Sequence, residues 1–263
     1  MGKKFLEETL EKLRTEEQGI FIPYLMAGDG GLENLVDQVS FLENAGASAV
    51  EIGIPFSDPA ADGPVIQEAG KRALQGGTTL TGIFETLKRS RGKIGIPVIF
   101  MTYFNPILQF GLDKFAEECT AAGVDGLIIP DLPLEHTEIL KPHIQKEDIA
   151  LIQLVSLTSS KERLKTIAKT TEGFLYAVTI NGITGTVKEF QSSLKDHFLE
   201  LKKVCGAPVL AGFGISTPEH VRNFLEITDG VVVGSRIIQL LQENKLEEIK
   251  ELIKAADVKT SVS

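Results

Sequence analysis

The chain has no tryptophan and only two cysteines, Cys119 and Cys205, which lie far apart in helical patterns. Both read as small buried or half-buried thiols, so neither a disulfide nor a cysteine nucleophile is expected. No apolar run is long enough to span a bilayer, and the opening Met1-Gly2-Lys3-Lys4-Phe5 lacks the apolar core of a secretory signal. The expected location is the cytoplasm, away from membranes. Sustained basic runs are also missing and the formal net charge is −9, which argues against nucleic acid as a partner. An anionic ligand must then be held by local backbone donors against the overall field. His136, His143, His197 and His220 are scattered through polar helical stretches without metal-ligand spacing, so they read as surface residues and no metal site is expected. No Gly-x-Gly-x-x-Gly turn follows the first strand, which removes the usual mark of a dinucleotide-binding sheet.

What the chain does have is a strand–helix rhythm. Leu6, Leu10 and Leu13 share one face of an amphipathic helix within residues 1–17. Apolar strands are expected at 20–26, from 50 onward, and at 97–103, 126–129, 149–155, 174–178, 208–211 and 230–233. Helical patterns follow each, among them 64–76, 113–122, one helix over 134–145, and another over about 193–204. Eight alternations without a break in composition predict an α/β fold, a (β/α)8 TIM barrel, as a single domain over 1–263 with an extra N-terminal helix and a frayed tail at 258–263. The even strands are entered by similar residues: Gly46-Ala47-Ser48-Ala49, Gly123-Val124-Asp125-Gly126, Glu172-Gly173 and Thr228-Asp229-Gly230. A doubly wound sheet could share that echo; the strand count favours the barrel.

Barrel chemistry gathers on the loops leaving the C-terminal ends of strands. In the second strand Val50, Ile52 and Ile54 form an apolar side, and Glu51 stands opposite between Ala49 and Gly53. A glutamate on a closed side is costly unless something uses it. The small neighbours leave room for a ligand, and Asp62 follows at the end of the loop. Glu51, in an apolar mouth, should have a raised pKa and both donate and accept a proton. Asp62, on a wetter loop, should stay ionised and stabilise a cationic nitrogen. Tyr103 and Asn105 leave the third strand, Asp131 the fourth, where it reads as a loop brace, and Tyr176 the sixth. Glycines after the seventh and eighth strands, with a short helix starting near Ser235, together point to a phosphate cradle. The Gly/Thr-rich connection 179–191 reads equally as a mobile lid or a surface loop. Asp29 and Asp58 read as turn-forming aspartates.

Glu51-Ile52-Gly53, Phe56-Ser57-Asp58-Pro59 and Asp62-Gly63-Pro64 resemble the signature of the α subunit of tryptophan synthase. Ala27-Gly28-Asp29, Tyr103-Phe104-Asn105-Pro106, Pro130-Asp131-Leu132-Pro133, Gly182-Ile183-Thr184-Gly185, Gly212-Phe213-Gly214-Ile215-Ser216 and Gly234-Ser235 extend the resemblance over essentially the whole chain. It implies a lyase that cleaves indole-3-glycerol phosphate to indole and glyceraldehyde 3-phosphate, with no metal or cofactor in this subunit. It also implies a pyridoxal-phosphate (PLP) β subunit as partner in an α2β2 heterotetramer. By the same resemblance Glu51 is the acid/base and Asp62 the carboxylate that steadies the indole N–H. Thr184 is the lid residue closing onto Asp62, and Tyr103, Tyr176 and Phe213 bind substrate. Gly185, Gly214, Gly234 and Ser235 hold the phosphate, and Asp58 and Asn105 face the partner. Three positions depart from the family pattern: Ala60, where a larger aliphatic is usual, Gly30, where proline is usual, and Thr179, where serine is commoner.

Two other readings compete. Another phosphate-binding barrel, such as an isomerase or indole-glycerol-phosphate synthase, would in the latter case want a lysine acid near a strand end, and the strands carry none. A barrel serving mainly to activate a partner would not need both acids. Glu51→Gln and Asp62→Asn should each abolish most indole release from indole-3-glycerol phosphate while leaving phosphate-ligand binding largely intact; near-normal turnover in either variant contradicts the acid assignment.

Overall fold

The computed structural model describes residues 1–90, 92–156, 159–178, 187–212 and 214–257, with backbone alone over 187–194. The strands are β1 (Ile20–Met26), β2 (Val50–Gly53), β3 (Val98–Met101), β4 (Gly126–Ile128), β5 (Ala150–Ser156), β6 (Leu175–Val178), β7 (Val209–Gly212) and β8 (Gly230–Val233). All pair in parallel in chain order, and β8 closes on β1, giving the expected (β/α)8 barrel. The helices are α1 (Lys3–Thr15), α2 (Leu35–Asn44), α3 (Pro64–Gln75), α4 (Leu80–Arg89), α5 (Phe104–Phe110) and α6 (Leu112–Ala122). They continue with α7 (Lys141–Lys146), α8 (Lys161–Thr170), α9 (Val187–Val204), α10 (Pro218–Leu225), α11 (Ser235–Gln242) and α12 (Leu246–Lys254).

The period-2 pattern of the strands sorts their side chains into two cores. Ile20, Ile22, Ile99, Ile152, Leu210 and Val232 fill the barrel interior, while Phe21, Leu25, Val50, Ile52 and Phe100 face the helix layer. Helix α1 seals the N-terminal end of the barrel. Its Leu6 and Leu10 are fully buried against the interior cluster. Leu6 occupies the space above Gly126 and Gly173, where a Cβ would come within 3.1 and 2.8 Å of its Cδ2. The Gly2 N–H donates to Asp125, and Lys3 pairs with Glu172 at 2.7 Å.

The echo at the even strands has a physical basis. At each entry a side-chain oxygen accepts from a backbone N–H at the start of the preceding strand, a donor the ladder would otherwise leave unpaired. Ser48 accepts from Phe21 at 3.0 Å and Asp125 from Val98 at 2.8 Å. Glu172 accepts from Leu151 at 2.9 Å and Asp229 from Val209 at 2.8 Å. Four different sequences thus do one job at every second strand.

Several elements differ from the sequence reading. The helix over 134–145 is two pieces, a 3-10 turn Leu134–Ile139 and then α7, because Pro142 supplies no N–H and is tolerated only in a first turn. Strand β3 stops at Met101 and α5 begins at Phe104, with Pro106 in its first turn. Helix α9 begins at Val187, earlier than expected, so 187–191 are helical and not part of a loop. The remainder of that connection, 179–186, and the tail 258–263 lie outside the described residues. Among the described residues no helix is long and apolar enough to cross a membrane.

Leu6→Ala, which leaves a hole at the barrel floor, should lower unfolding free energy by about 2–5 kcal/mol, read by urea denaturation.

Candidate active site

Strand β2 turns Glu51 inward, and the chain then loops to Asp62 before α3 starts at Pro64. Glu51 has no solvent exposure, and neither carboxylate oxygen has a hydrogen-bond partner among the described residues. Burial pushes its pKa up to about 8, with the negative charge of Asp62 adding to the shift. Asp62 is half-buried, and burial raises its pKa to about 6, while the Tyr103 hydroxyl pulls the other way by hydrogen-bonding to the carboxylate. Both acids are therefore raised, Glu51 further than Asp62, which still ionises below neutral pH as its loop setting suggested. At pH 7 Glu51 thus favours its protonated form and Asp62 its ionised form.

Tyr103, just beyond β3, connects the loop to the barrel. Its oxygen accepts from the Ala61 N–H at 2.9 Å, and its ring lies 5.3 Å from that of Phe56, centroid to centroid. Burial and the neighbouring Asp62 charge push the phenol up to about 12, so it remains a donor. Tyr176, inward on β6, lies across Gly212 of the neighbouring strand, where any Cβ would overlap its ring. Sequence reasoning missed Tyr24. It is the register partner of Glu51 on β1, and its hydroxyl lies across Gly53, where a Cβ would overlap it. The space beside Glu51 that the small residue seemed to leave for a ligand is thus taken by a phenol. Burial, then the charges of Asp62 and Glu51, raise the Tyr24 pKa; burial, then Glu51 and Asp62, raise that of Tyr176. All three tyrosines in the chain converge on the two acids. The available signal was the alternation Ile20, Ile22, Tyr24, which puts Tyr24 on the inward face.

The other site residues divide into those placed and those not described. Gly234 precedes α11 and Ser235 is its first residue, with no side chain capping the helix. The free N–H groups of the first turn make this end a natural anion site. A Cβ at Gly234 would sit 3.4 Å from Ile66 of α3, so the two helix starts are neighbours. Gly214 is exposed just after β7. Thr184, Gly185 and Phe213 lie outside the described residues, as does the departure Thr179. Asp58 and Asn105 are exposed. Asp131 accepts the Phe104 N–H at 2.9 Å, bracing the start of α5. Gly30 has φ 86, a conformation closed to the proline usual there. Ala60 is exposed on the loop between the acids. Cys119 and Cys205 are buried free thiols. His143 and His197 are half-buried rather than surface groups, the first bonded to Asp113 at 2.6 Å.

A barrel that keeps one protonable acid dry and a second nearer water is equipped to move protons, which places this chain among acid–base barrel enzymes. Comparison with known proteins narrows the class. The profile of the family described as tryptophan synthase alpha chain matches residues 10–262. A tryptophan synthase alpha chain from Bacillus cereus is 54% identical over 239 residues, covering 91% of this chain and 93% of the relative. The crystal structure of the alpha subunit from Legionella pneumophila superposes with TM-score 0.88 at 35% identity, covering 98% of this chain and 99% of that one. A ligand-free tryptophan synthase from M. tuberculosis gives TM-score 0.87 at 28% identity, covering 96% and 99%. The chain belongs to the tryptophan synthase alpha chain family.

Because the folded protein holds a proton on Glu51 that the unfolded chain releases near pH 4.5, this group favours folding most below that pH. Its contribution is lost as pH rises to about 8. Glu51→Gln should therefore gain stability relative to the parent as pH rises, by on the order of a few kcal/mol at pH 9 and little at pH 4. Urea denaturation at pH 4, 7 and 9 checks this, and a pH-independent difference contradicts it.

Proposed function

We propose that this chain carries out the α reaction of its family with Glu51 and Asp62 as the working acids. The reaction is a lyase step of tryptophan biosynthesis: retro-aldol cleavage of indole-3-glycerol phosphate to indole and glyceraldehyde 3-phosphate. The observation that carries the reading is Glu51, wholly buried on β2 with neither carboxylate oxygen partnered among the described residues.

The chemistry follows from the two protonation states. Protonated Glu51 gives its proton to C3 of the indole ring, which makes the ring an electron sink. Asp62, ionised, accepts the indole N–H and stabilises the positive charge that develops on nitrogen. The Glu51 carboxylate then takes the proton of the glycerol hydroxyl next to the ring. The carbon–carbon bond breaks, its electron pair returns to the ring, and the aldehyde and indole separate. One residue thus serves as acid and then as base, which its pKa of about 8 suits near neutral pH. Tyr103 fixes Asp62, while Tyr24 and Tyr176 exclude water beneath the ring. The first turn of α11 at Gly234-Ser235, with Gly214, holds the phosphate. Gly185, Thr184 and Phe213 are assigned to the same site by the family pattern alone.

An alpha chain implies a beta-subunit partner. In this reading the assembly is α2β2, pyridoxal phosphate belongs to the β subunit, and the α chain needs no cofactor or metal. Exposed Asp58 and Asn105, with Leu108 47% exposed one turn further along α5, suit a partner-facing surface. The chain serves as one barrel domain over 1–263 and works in the cytoplasm.

The test is to assay indole from indole-3-glycerol phosphate, with and without a β subunit, between pH 5 and 9. Cleavage should be bell-shaped, falling below about pH 6 as Asp62 gains a proton and above about pH 8 as Glu51 loses one. No indole under any condition overturns the function, and a flat profile overturns the acid roles.

A further inference from the structure

Strands β2 and β8 are the two neighbours of β1, so the helices that follow them, α3 and α11, meet over its end. Ile66, Ala69 and Ala73 of α3 pack with Ile238 of α11 on Tyr24 and Met26 of β1. Beyond this apolar contact the joint is polar. Asp29, in the turn after β1, accepts from Nε and Nη2 of Arg72 at 2.8 and 2.9 Å, and from Nε2 of Gln242 at 3.1 Å. Arg72 lies in the last turn of α3, and Gln242 is the last residue of α11. Asp29 is thus more than the turn former its setting suggested.

Three features make this carboxylate the spacer between the helices. The two-pronged arginine contact fixes direction as well as distance. The Asp29 side chain is only 11% exposed, and Gly28, at φ 82, presses its turn so close to Thr78 that a Cβ there would overlap the threonine. A cavity of about 520 Å3 lies alongside, bounded by Leu25, Gln38 and Leu241. Beside it Ala73 and Ile238 keep the helices packed, and the clamp joins their far ends.

We propose that Asp29 is a positioning residue for the cleavage: it holds the far ends of α3 and α11 on one carboxylate. It thereby fixes the distance between Asp62, just before α3, and the Gly234-Ser235 anion site that opens α11. The proposal rests on the site reading above. At about 1.5 Å per residue, α3 and α11 are levers of roughly 18 and 12 Å. A shift of about 1 Å at a reacting group can cost about a hundredfold in rate. Indole-3-glycerol phosphate spans both helix starts and senses their spacing; inorganic phosphate touches one and does not.

The test uses the full chain with a β subunit and the variants Asp29→Ala, Arg72→Ala and the pair. Arg72, 41% exposed, can be truncated without opening the core, so a folded variant is available even where Asp29→Ala unfolds. Each single variant should lower kcat/KM for indole-3-glycerol phosphate by about tenfold or more. The dissociation constant for inorganic phosphate should stay within about twofold, and the pair should be no worse than the worse single variant. Three results overturn the clamp: kcat/KM within about twofold of the parent in folded Arg72→Ala, phosphate binding weakened in step with kcat/KM, or losses that multiply in the pair. Failure of the parent chain itself to release indole overturns the function, and that outcome is seen before any variant is made.

Discussion

A carboxylate in an apolar interior with no donor to satisfy it is unfavourable as an anion, and it keeps its proton well above the usual carboxylate range. Among the described residues Glu51 is held in that condition, and the surrounding structure follows from the need to keep it there. The barrel floor is closed by Leu6 and Leu10 from below, so water does not reach it through the barrel. From the sides, Tyr24 and Tyr176 lie across Gly53 and Gly212. The same device is used twice: a glycine on one strand makes room for a phenol from the neighbouring strand.

Asp62 supplies the contrast that makes a pair of acids useful. It sits on the loop rather than in the strand, half-buried and hydrogen-bonded by Tyr103, so its proton leaves at lower pH than that of Glu51. The difference comes from environment, since the two side chains have nearly the same chemistry. Tyr103 joins the two levels of structure, because it bonds both the Asp62 side chain and the Ala61 backbone.

Much of this was legible in the sequence, for reasons that can be named. Glu51 stood out because a charge interrupted an inward-facing, small-residue pattern, and the eightfold alternation placed it at the catalytic end. The echo at Ser48, Asp125, Glu172 and Asp229 was visible as recurrence, although its cause, pairing an N–H at the start of the preceding strand, lies in contacts between elements that a linear pattern does not display. Tyr24 was passed over because an aromatic on a strand is usually core, and only the register with Glu51 gives it meaning. Asp29 read as a turn because its partners, Arg72 and Gln242, are 43 and 213 positions away in sequence. Local patterns do not reveal a side-chain contact over such a separation. The break in the helix over 134–145 was readable at Pro142, where the periodicity of the apolar residues outweighed the proline.

The protonation of Glu51 is the central claim, and carbon-13 NMR of the glutamate side-chain carboxyls tests it without turnover. Titrated from pH 4 to pH 10, one resonance, absent from Glu51→Gln, should move with a midpoint near 8. A midpoint between about 4 and 5 for that resonance, the range of an ordinary glutamate, would contradict the account.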